Sequence, residues 1–195
     1  MMRITGGILG GRRVEVFDAG VRPTQDKVRA AIYSSLGDFV VEARVLDLFA
    51  GTGAMGIEAW SRGASYVCWV ESHRKVFATL RRNIEGLCRG EGGATECVLS
   101  DAGPFLRIPR GPEPFQLIRA DPPYEKGHAH GWLARLLESL GQKGWLAERG
   151  LFIYEQGADE GIPESPGWTL VKEKKYGDTR VLYFARTPEG PRETP

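Results

Sequence analysis

The segment DLFAGTGAMGIEA, residues 47–59, constrains this chain more than any other. A short apolar run, RVLDLF, ends in three glycines spaced GxGxxG (Gly51, Gly53 and Gly56) and passes at once into a helix-forming stretch. Glycine is required where a backbone turns sharply and a ligand must approach closely, and the helix that follows offers backbone N–H groups without partners. Strand, tight loop and helix in that order predict a nucleotide-like cofactor at the carboxyl edge of a parallel sheet.

The rest of the chain repeats the same grammar. YVCWVE is followed by a helix with Val76, Phe77, Leu80, Ile84 and Leu87 on one face. TECVLS, FQLIRA and LFIYEQ come next, with a helix between the last two that carries Trp132, Leu133, Leu136, Leu137 and Leu140. This alternation predicts an α/β fold, a doubly wound, mostly parallel sheet covered by helices on both faces. WTLVKEKKY and TRVLYFAR, turning at Gly177 and Asp178, predict an antiparallel hairpin that closes one edge and brings the sheet to seven strands. Residues 1–40 read as an appendage: a glycine-punctuated strand pair, RITGGILGGRRVEVF, then a helix from Pro23 and Thr24 with Val28, Ala31, Ile32, Ser35 and Leu36 on one face. The main domain is expected over 41–186 and a loose Pro-rich tail over 187–195.

Composition narrows the classes. A chain of 195 residues with 42% hydrophobic residues has the length and core of one α/β domain. Cys68, Cys88 and Cys97 form no CxxC spacing, and no run approaches a membrane span, so a reducing, cytoplasmic setting is expected. Cys68 and Cys97, within expected strands, read as small core residues. His128 and His130 make an HxH pair with no third ligand nearby, and no metal is expected. The net charge of +1 hides an uneven distribution. Residues 1–29 carry six basic groups against three acidic, residues 72–89 five against one, and 172–186 five against two. Glu155, Asp159, Glu160 and Glu164 read as an acidic loop with no basic neighbour. Arg3, Arg12, Arg13, Arg22 and Lys27 then form a basic arm suited to phosphates.

Three acids follow the glycine loop from strand to strand. Asp47 lies four residues before Gly51, where a carboxylate repels a pyrophosphate and suits a cofactor with a cationic end such as S-adenosylmethionine. Glu71, ending the second strand of the main sheet, is placed to accept from both ribose hydroxyls, and Asp101, after the third, from an adenine amino group. Ser72 and Ala102, the next residues, complete that expected cofactor set.

The most specific motif is DPPY, Asp121 to Tyr124, directly after FQLIRA. Two prolines fix the backbone and remove N–H donors, so Asp121 and a prolyl carbonyl can accept both hydrogens of one exocyclic amine. Such an amine is a poor nucleophile until two acceptors concentrate its lone pair on nitrogen, and Tyr124 offers a flat face for an extruded base.

On these residues the sequence resembles the S-adenosylmethionine-dependent methyltransferases that modify exocyclic amines, and it is most similar to the RsmD-type family that methylates the guanine 2-amino group of small-subunit ribosomal RNA. The resemblance spans nearly the whole chain, from RITGG, GRR and RPTQDKVRAAIYSSL through DLFAGTGAMGIEAWSRGA and DPPY to YGDTRVLYF. It implies a class I methyltransferase fold, a cofactor loop of Asp47, Gly51 and Gly53, the ribose ligand Glu71, the adenine contact Asp101 and a catalytic group of Asp121, Pro122 and Tyr124. The stretch 22–27 is similar to an additional cofactor motif of the family, which implies Thr24 near the methionine carboxylate. The resemblance further implies a monomer that acts on an assembled or assembling ribosomal particle. The chain departs from the pattern at Arg119 and Ala120, where relatives carry bulky apolar residues. An adenine amino-methyltransferase and, from another class, a NAD(P)-binding oxidoreductase stay open on the motifs.

Overall fold

The computed structural model describes residues 2–17, 24–90, 92–108, 113–123, 131–142 and 144–188. Its main sheet has seven strands: β3 (Arg44–Leu48), β4 (Tyr66–Glu71), β5 (Ala94–Leu99), β6 (Phe115–Ala120), β7 (Leu146–Gly157), β8 (Trp168–Tyr176) and β9 (Thr179–Arg186). They lie in the order β5-β4-β3-β6-β7-β9-β8. All neighbours run parallel up to β7, while β9 is antiparallel to both β7 and β8. The expected terminal hairpin is present, with its second strand inserted beside β7 and β8 left on the edge. Helices α1 (Thr24–Leu36), α2 (Ala54–Ser61), α3 (Arg74–Leu87), α4 (Ala102–Arg107) and α5 (Gly131–Gln142) complete the fold. Among the described residues, no helix is long and apolar enough to cross a membrane.

Period-two alternation divides each central strand between two cores. Val45, Val67, Trp69, Leu117, Ile153, Val181 and Tyr183 face the side covered by α1, α2 and α3. Leu46, Leu48, Cys68, Val70, Ile118, Phe152 and Leu182 face α4 and α5. Cys68 is fully buried as expected, whereas Cys97, in the edge strand β5, is only partly covered.

The amino-terminal strands are shorter than the sequence suggests. Regular strand pairing is confined to Met2–Arg3 (β1) and Arg13–Val14 (β2); beyond it Ile4 N donates to Arg12 O and Gly11 N to Ile4 O, both at 2.9 Å, around a 3-10 turn at Gly7–Leu9. Side chains from the helices hold this segment in place of a longer ladder. Glu58 of α2 binds Thr5, the Ser61 hydroxyl accepts from Leu9 N at 2.8 Å and donates to Gly6 O at 2.6 Å, and Asn83 of α3 exchanges two hydrogen bonds with the Glu15 backbone. Met2, Ile4, Leu9 and Val14 thereby enter the same apolar cluster as Ile57, Trp69 and Leu80. On α1 the buried face is Val28, Arg29, Ile32, Tyr33 and Leu36, with Ala31 and Ser35 at its margins.

Candidate active site

The strand order reverses between β3 and β6, which pair with each other although two β/α units separate them in sequence. Connections leaving their carboxyl ends diverge there and open a crevice. The glycine loop leaves β3 and the Asp121 segment leaves β6, so adjacency in the sheet brings the two strongest motifs together. A cavity of about 460 Å³ lies at this point, lined by Phe49, Gly51, Thr52, Arg119, Asp121 and Glu155 and walled by Met2, Val16 and Phe17 of the amino-terminal segment.

The loop itself has little freedom. Gly51 and Gly53 have φ of 56° and 88°, in the left-handed region that a side chain opposes. A Cβ built on Gly51 meets nothing within 4 Å, so this loop residue borders open space, a cradle in which a ligand can approach the backbone. Gly56 is glycine for another reason: a Cβ there falls 2.2 Å from Trp69 Nε1, so the helix start packs directly on the sheet. Trp69 in turn donates to Gly53 O at 3.2 Å, and Asn83 donates to Thr52 O at 2.9 Å. Phe49 also has a left-handed φ, 56°, and its ring meets Trp132 edge-on with centroids 4.9 Å apart. A bulky side chain in that conformation marks strain concentrated at a functional loop.

Glu71 ends β4 beside this loop, accepting from Gly51 N at 2.9 Å through one oxygen and from His73 N at 2.7 Å through the other. Two lone pairs per oxygen leave it able to accept from vicinal hydroxyls as well. Phe17 stands over His73, ring centroids 5.8 Å apart. Asp101 follows β5 as the exposed residue before α4, with Ala102 buried behind it and Ser72 exposed after Glu71. Asp47 near the end of β3, Glu71 at the end of β4 and Asp101 after β5 thus lie on three adjacent strands.

Asp47 occupies a deeper layer than the sequence suggests. It is 1% exposed, its Oδ2 accepts from Gly56 N at 3.0 Å, and its Oδ1 lies 3.2 Å from Arg119 Nη1. Its carboxylate ties the helix start to the strand from beneath the loop. Arg119, outside the set of site residues expected from the sequence, is the hub of the site. Parallel register sets it beside Asp47, and the two-residue spacing in Arg119-Ala120-Asp121 puts both polar side chains on one face. Its Nη2 binds Asp121 Oδ2 at 2.9 Å and Glu155 Oε1 at 2.6 Å. Glu155 is thus no loop residue without a basic neighbour: it lies in β7, buried, and pairs with Arg119. The apolar run LFIY before it was the available signal, since period two carries Glu155 to the same face as Ile153.

Burial and charge set the protonation of this cluster. Desolvation pushes the Asp47 carboxyl up to about 6 against the opposing pull of Arg119. Desolvation, reinforced by the Asp121 charge, raises Glu155 to about 7. Burial opposes the Arg119 charge, yet the carboxylates of Glu155, Asp121 and Asp47 outweigh it and hold the guanidinium ionised. Arg29, also on the cavity wall, is committed to Glu58 and Asp26. One guanidinium shared by three carboxylates leaves the wall with a negative excess when all are ionised.

Arg3, Arg12, Arg13 and Lys27 are exposed on the amino-terminal face. Tyr124, Arg22, His128 and His130, together with the Thr24 side chain, lie outside the described residues. Pro122 is buried directly behind Asp121. Among the described residues, no group of three or more His, Cys, Asp or Glu is arranged to hold a metal.

A family model described as "Conserved hypothetical protein 95" matches residues 2–185. "Ribosomal RNA small subunit methyltransferase D" of Escherichia coli K12 is 35% identical over 191 residues, covering 97% of this chain and 92% of the relative. The Haemophilus influenzae protein of the same name is 32% identical over 178 residues, 90% and 89% of the two chains. The solved structure of Escherichia coli yhhF superposes with a TM-score of 0.83 at 33% identity, covering 95% of this chain and 97% of the other. A Thermus thermophilus ribosomal RNA methyltransferase, RsmC, solved with AdoMet and guanosine, shares the fold at 23% identity and a TM-score of 0.68, over 92% of this chain and 46% of that one. By the family model and by these full-length relatives, the chain belongs to the ribosomal RNA small subunit methyltransferase D family.

Proposed function

We propose that this methyltransferase uses S-adenosylmethionine to methylate the exocyclic 2-amino group of a guanine in small-subunit ribosomal RNA. The observation that carries the reading is the meeting of Asp121 with the Gly51 loop at one cavity across the β3/β6 reversal. The donor set fits the cofactor. Gly51 supplies an open backbone approach, Glu71 a carboxylate for ribose hydroxyls, Asp101 an acceptor for an adenine amine, and the Arg119 cluster a negative excess for a cation. A dinucleotide would bring its pyrophosphate against that same negative wall, which disfavours the oxidoreductase alternative.

Bound S-adenosylmethionine supplies a methyl group on a cationic sulfur. Asp121 Oδ2 is held by Arg119, and its Oδ1 has no partner among the described residues, so that oxygen is available to an acceptor amine. Asp121 and the Pro122 carbonyl accept the two amine hydrogens and concentrate the lone pair on nitrogen. With S-adenosylmethionine bound, that lone pair would take the methyl group as the C–S pair returned to sulfur, and the methylated nitrogen would lose one proton to solvent. The Asp121 charge stabilises the positive charge growing on nitrogen, and the fixed geometry replaces a bimolecular encounter with an oriented one. The family relationship supports the RNA substrate, the exposed Arg12 and Arg13 support phosphate contact, and the near-neutral total charge supports an acceptor recognised partly by the shape of a ribosomal particle. Labelled methyl transfer to small-subunit particles and to naked ribosomal RNA, followed by mass mapping, tests this. Expected is one N2-methylguanosine, absent with Asp121→Ala; methyl on adenine, or full transfer by Asp121→Ala, overturns it.

A further inference from the structure

Beyond its negative excess, the Arg119 cluster shares one guanidinium between Asp121 and Glu155. A single nitrogen, Arg119 Nη2, holds Asp121 Oδ2 on one side and Glu155 Oε1 on the other, and Nη1 anchors to Asp47. Glu155 does not need to touch an acceptor to influence Asp121, because both draw on the same guanidinium. Three strands contribute to the cluster, Asp47 from β3, Arg119 from β6 with Asp121 just after its end, and Glu155 from β7, so no local segment dictates it.

We propose that Arg119 and Glu155 are positioning residues for Asp121: Arg119 aims its carboxylate, and ionised Glu155 draws off enough of the guanidinium charge to keep Asp121 a strong acceptor. The proposal rests on the reading that Asp121 accepts from the acceptor amine. Two physical consequences follow. Gripping one carboxylate oxygen fixes the direction of the other, which is orientation obtained before the substrate arrives. A guanidinium that faced Asp121 alone would neutralise it and weaken its stabilisation of the developing ammonium; a second carboxylate on the same nitrogen opposes this. Glu155 lies near its ionisation in the neutral range, so acidification hands the guanidinium charge back to Asp121. The charged and titratable groups around Glu155 are Arg119 from β6, Asp121 just after it, Asp47 from β3 and Tyr183 from β9, with Arg29 of α1 on the same cavity wall but committed to Glu58 and Asp26. The buried Arg119 Nε has no partner among the described residues, so the grip is exerted by the two terminal nitrogens.

The test measures kcat, KM for RNA and the pH dependence of kcat for wild type, Glu155→Gln, Arg119→Lys and Asp121→Asn, with S-adenosylhomocysteine affinity as the check on folding. Glu155→Gln is expected to lower kcat by about tenfold, the cost of weakening one charge-assisted hydrogen bond by a little over a kcal/mol. KM for RNA and affinity for S-adenosylhomocysteine, whose sulfur is uncharged, stay near wild type. In wild type kcat rises with pH through the Glu155 ionisation near 7, and in Glu155→Gln that rise is missing. Arg119→Lys keeps a positive charge but loses the planar fork that spans three carboxylates, so it does not restore kcat. Wild-type kcat and pH profile in Glu155→Gln, or full kcat in Arg119→Lys, overturn the proposal while leaving Asp121 in its role. Full activity in Asp121→Asn, whose amide oxygen still accepts but carries no charge, overturns the part assigned to the Asp121 charge, whereas full activity in Asp121→Ala removes the reading on which the proposal rests.

Discussion

Thr5 donates both its backbone N–H and its hydroxyl to Glu58, one to each carboxylate oxygen, at 2.7 Å each. Glu58 has no exposed surface, and it also takes the Arg29 and Arg62 guanidiniums at 3.3 and 2.9 Å. Arg29 reaches back to the Arg3 carbonyl, so one carboxylate ties the first strand, α1 and α2 into a single assembly. Glu58→Ala leaves Arg29, itself 2% exposed, with its main buried partner gone. Removing one member of such a buried pair costs about 3–5 kcal/mol. Urea denaturation at pH 7 is expected to show a midpoint lowered accordingly, and a change under about 1 kcal/mol contradicts the assignment.

Gly56 and Gly86 predict opposite signs for the same substitution. A Cβ at Gly56 meets Trp69 Nε1 at 2.2 Å, and Trp69 is fully buried under the glycine loop. Gly56→Ala therefore costs about 1–3 kcal/mol as overpacking and disturbs the Trp69 contact with Gly53 O. Gly86, inside α3, meets nothing within 4 Å, so Gly86→Ala gains up to about 1 kcal/mol from helix propensity. Thermal denaturation reads both, and calorimetric titration with S-adenosylhomocysteine is expected to weaken at least tenfold for Gly56→Ala only. Equal behaviour of the two variants defeats the packing argument.

How far the sequence displays this site depends on whether a feature is local. The glycine loop, the strand-end acids and DPPY are legible because each is a short segment whose own geometry demands its residues. Arg119 and Glu155 are different. Their pairing requires β3, β6 and β7 to be adjacent and in register, and nothing near either residue announces the other. Glu155 is followed by a run of acids in a loop, which masks that it belongs to the preceding strand. The amino-terminal hairpin is legible as a hairpin but not in its length: its glycines mark the turn between two paired strands of two residues each, and side chains of α2 and α3 hold the rest of the segment in place.

The raised carboxyls of Asp47 and Glu155 give stability a pH dependence opposite to ordinary acid denaturation. Both bind protons more tightly in the folded state, about 6 and 7 against unfolded values of 3.8 and 4.5. Where the folded state holds more protons than the unfolded chain, unfolding free energy falls as pH rises. The loss begins near pH 4 to 5 and is complete above about 7, amounting to about 1–3 kcal/mol for Glu155. Glu155→Gln removes that loss. Its stability relative to wild type is therefore expected to grow from pH 4.5 to pH 7.5 in urea titrations, and a constant or shrinking difference contradicts the sign.

Arg12 and Arg13 leave the short amino-terminal pair as exposed cations on the segment that walls the cavity. If they hold phosphates, their effect is on RNA capture, since neither lines the crevice around Asp121. The double variant Arg12→Ala, Arg13→Ala is expected to raise KM for RNA several-fold at 0.1 M salt while kcat and S-adenosylhomocysteine affinity stay near wild type. Each phosphate contact releases counterions, so the slope of log affinity against log salt should become shallower by about 0.7 to 0.9 per lost contact, or about 1.4 to 1.8 in all. An unchanged slope assigns RNA capture elsewhere, and the next candidates are Arg74, Lys75 and Arg81 on the exposed face of α3 and Arg89 just beyond its end. A fall in kcat with KM unchanged means instead that the arm orients the base and not the backbone, because only transition-state contacts lower kcat alone.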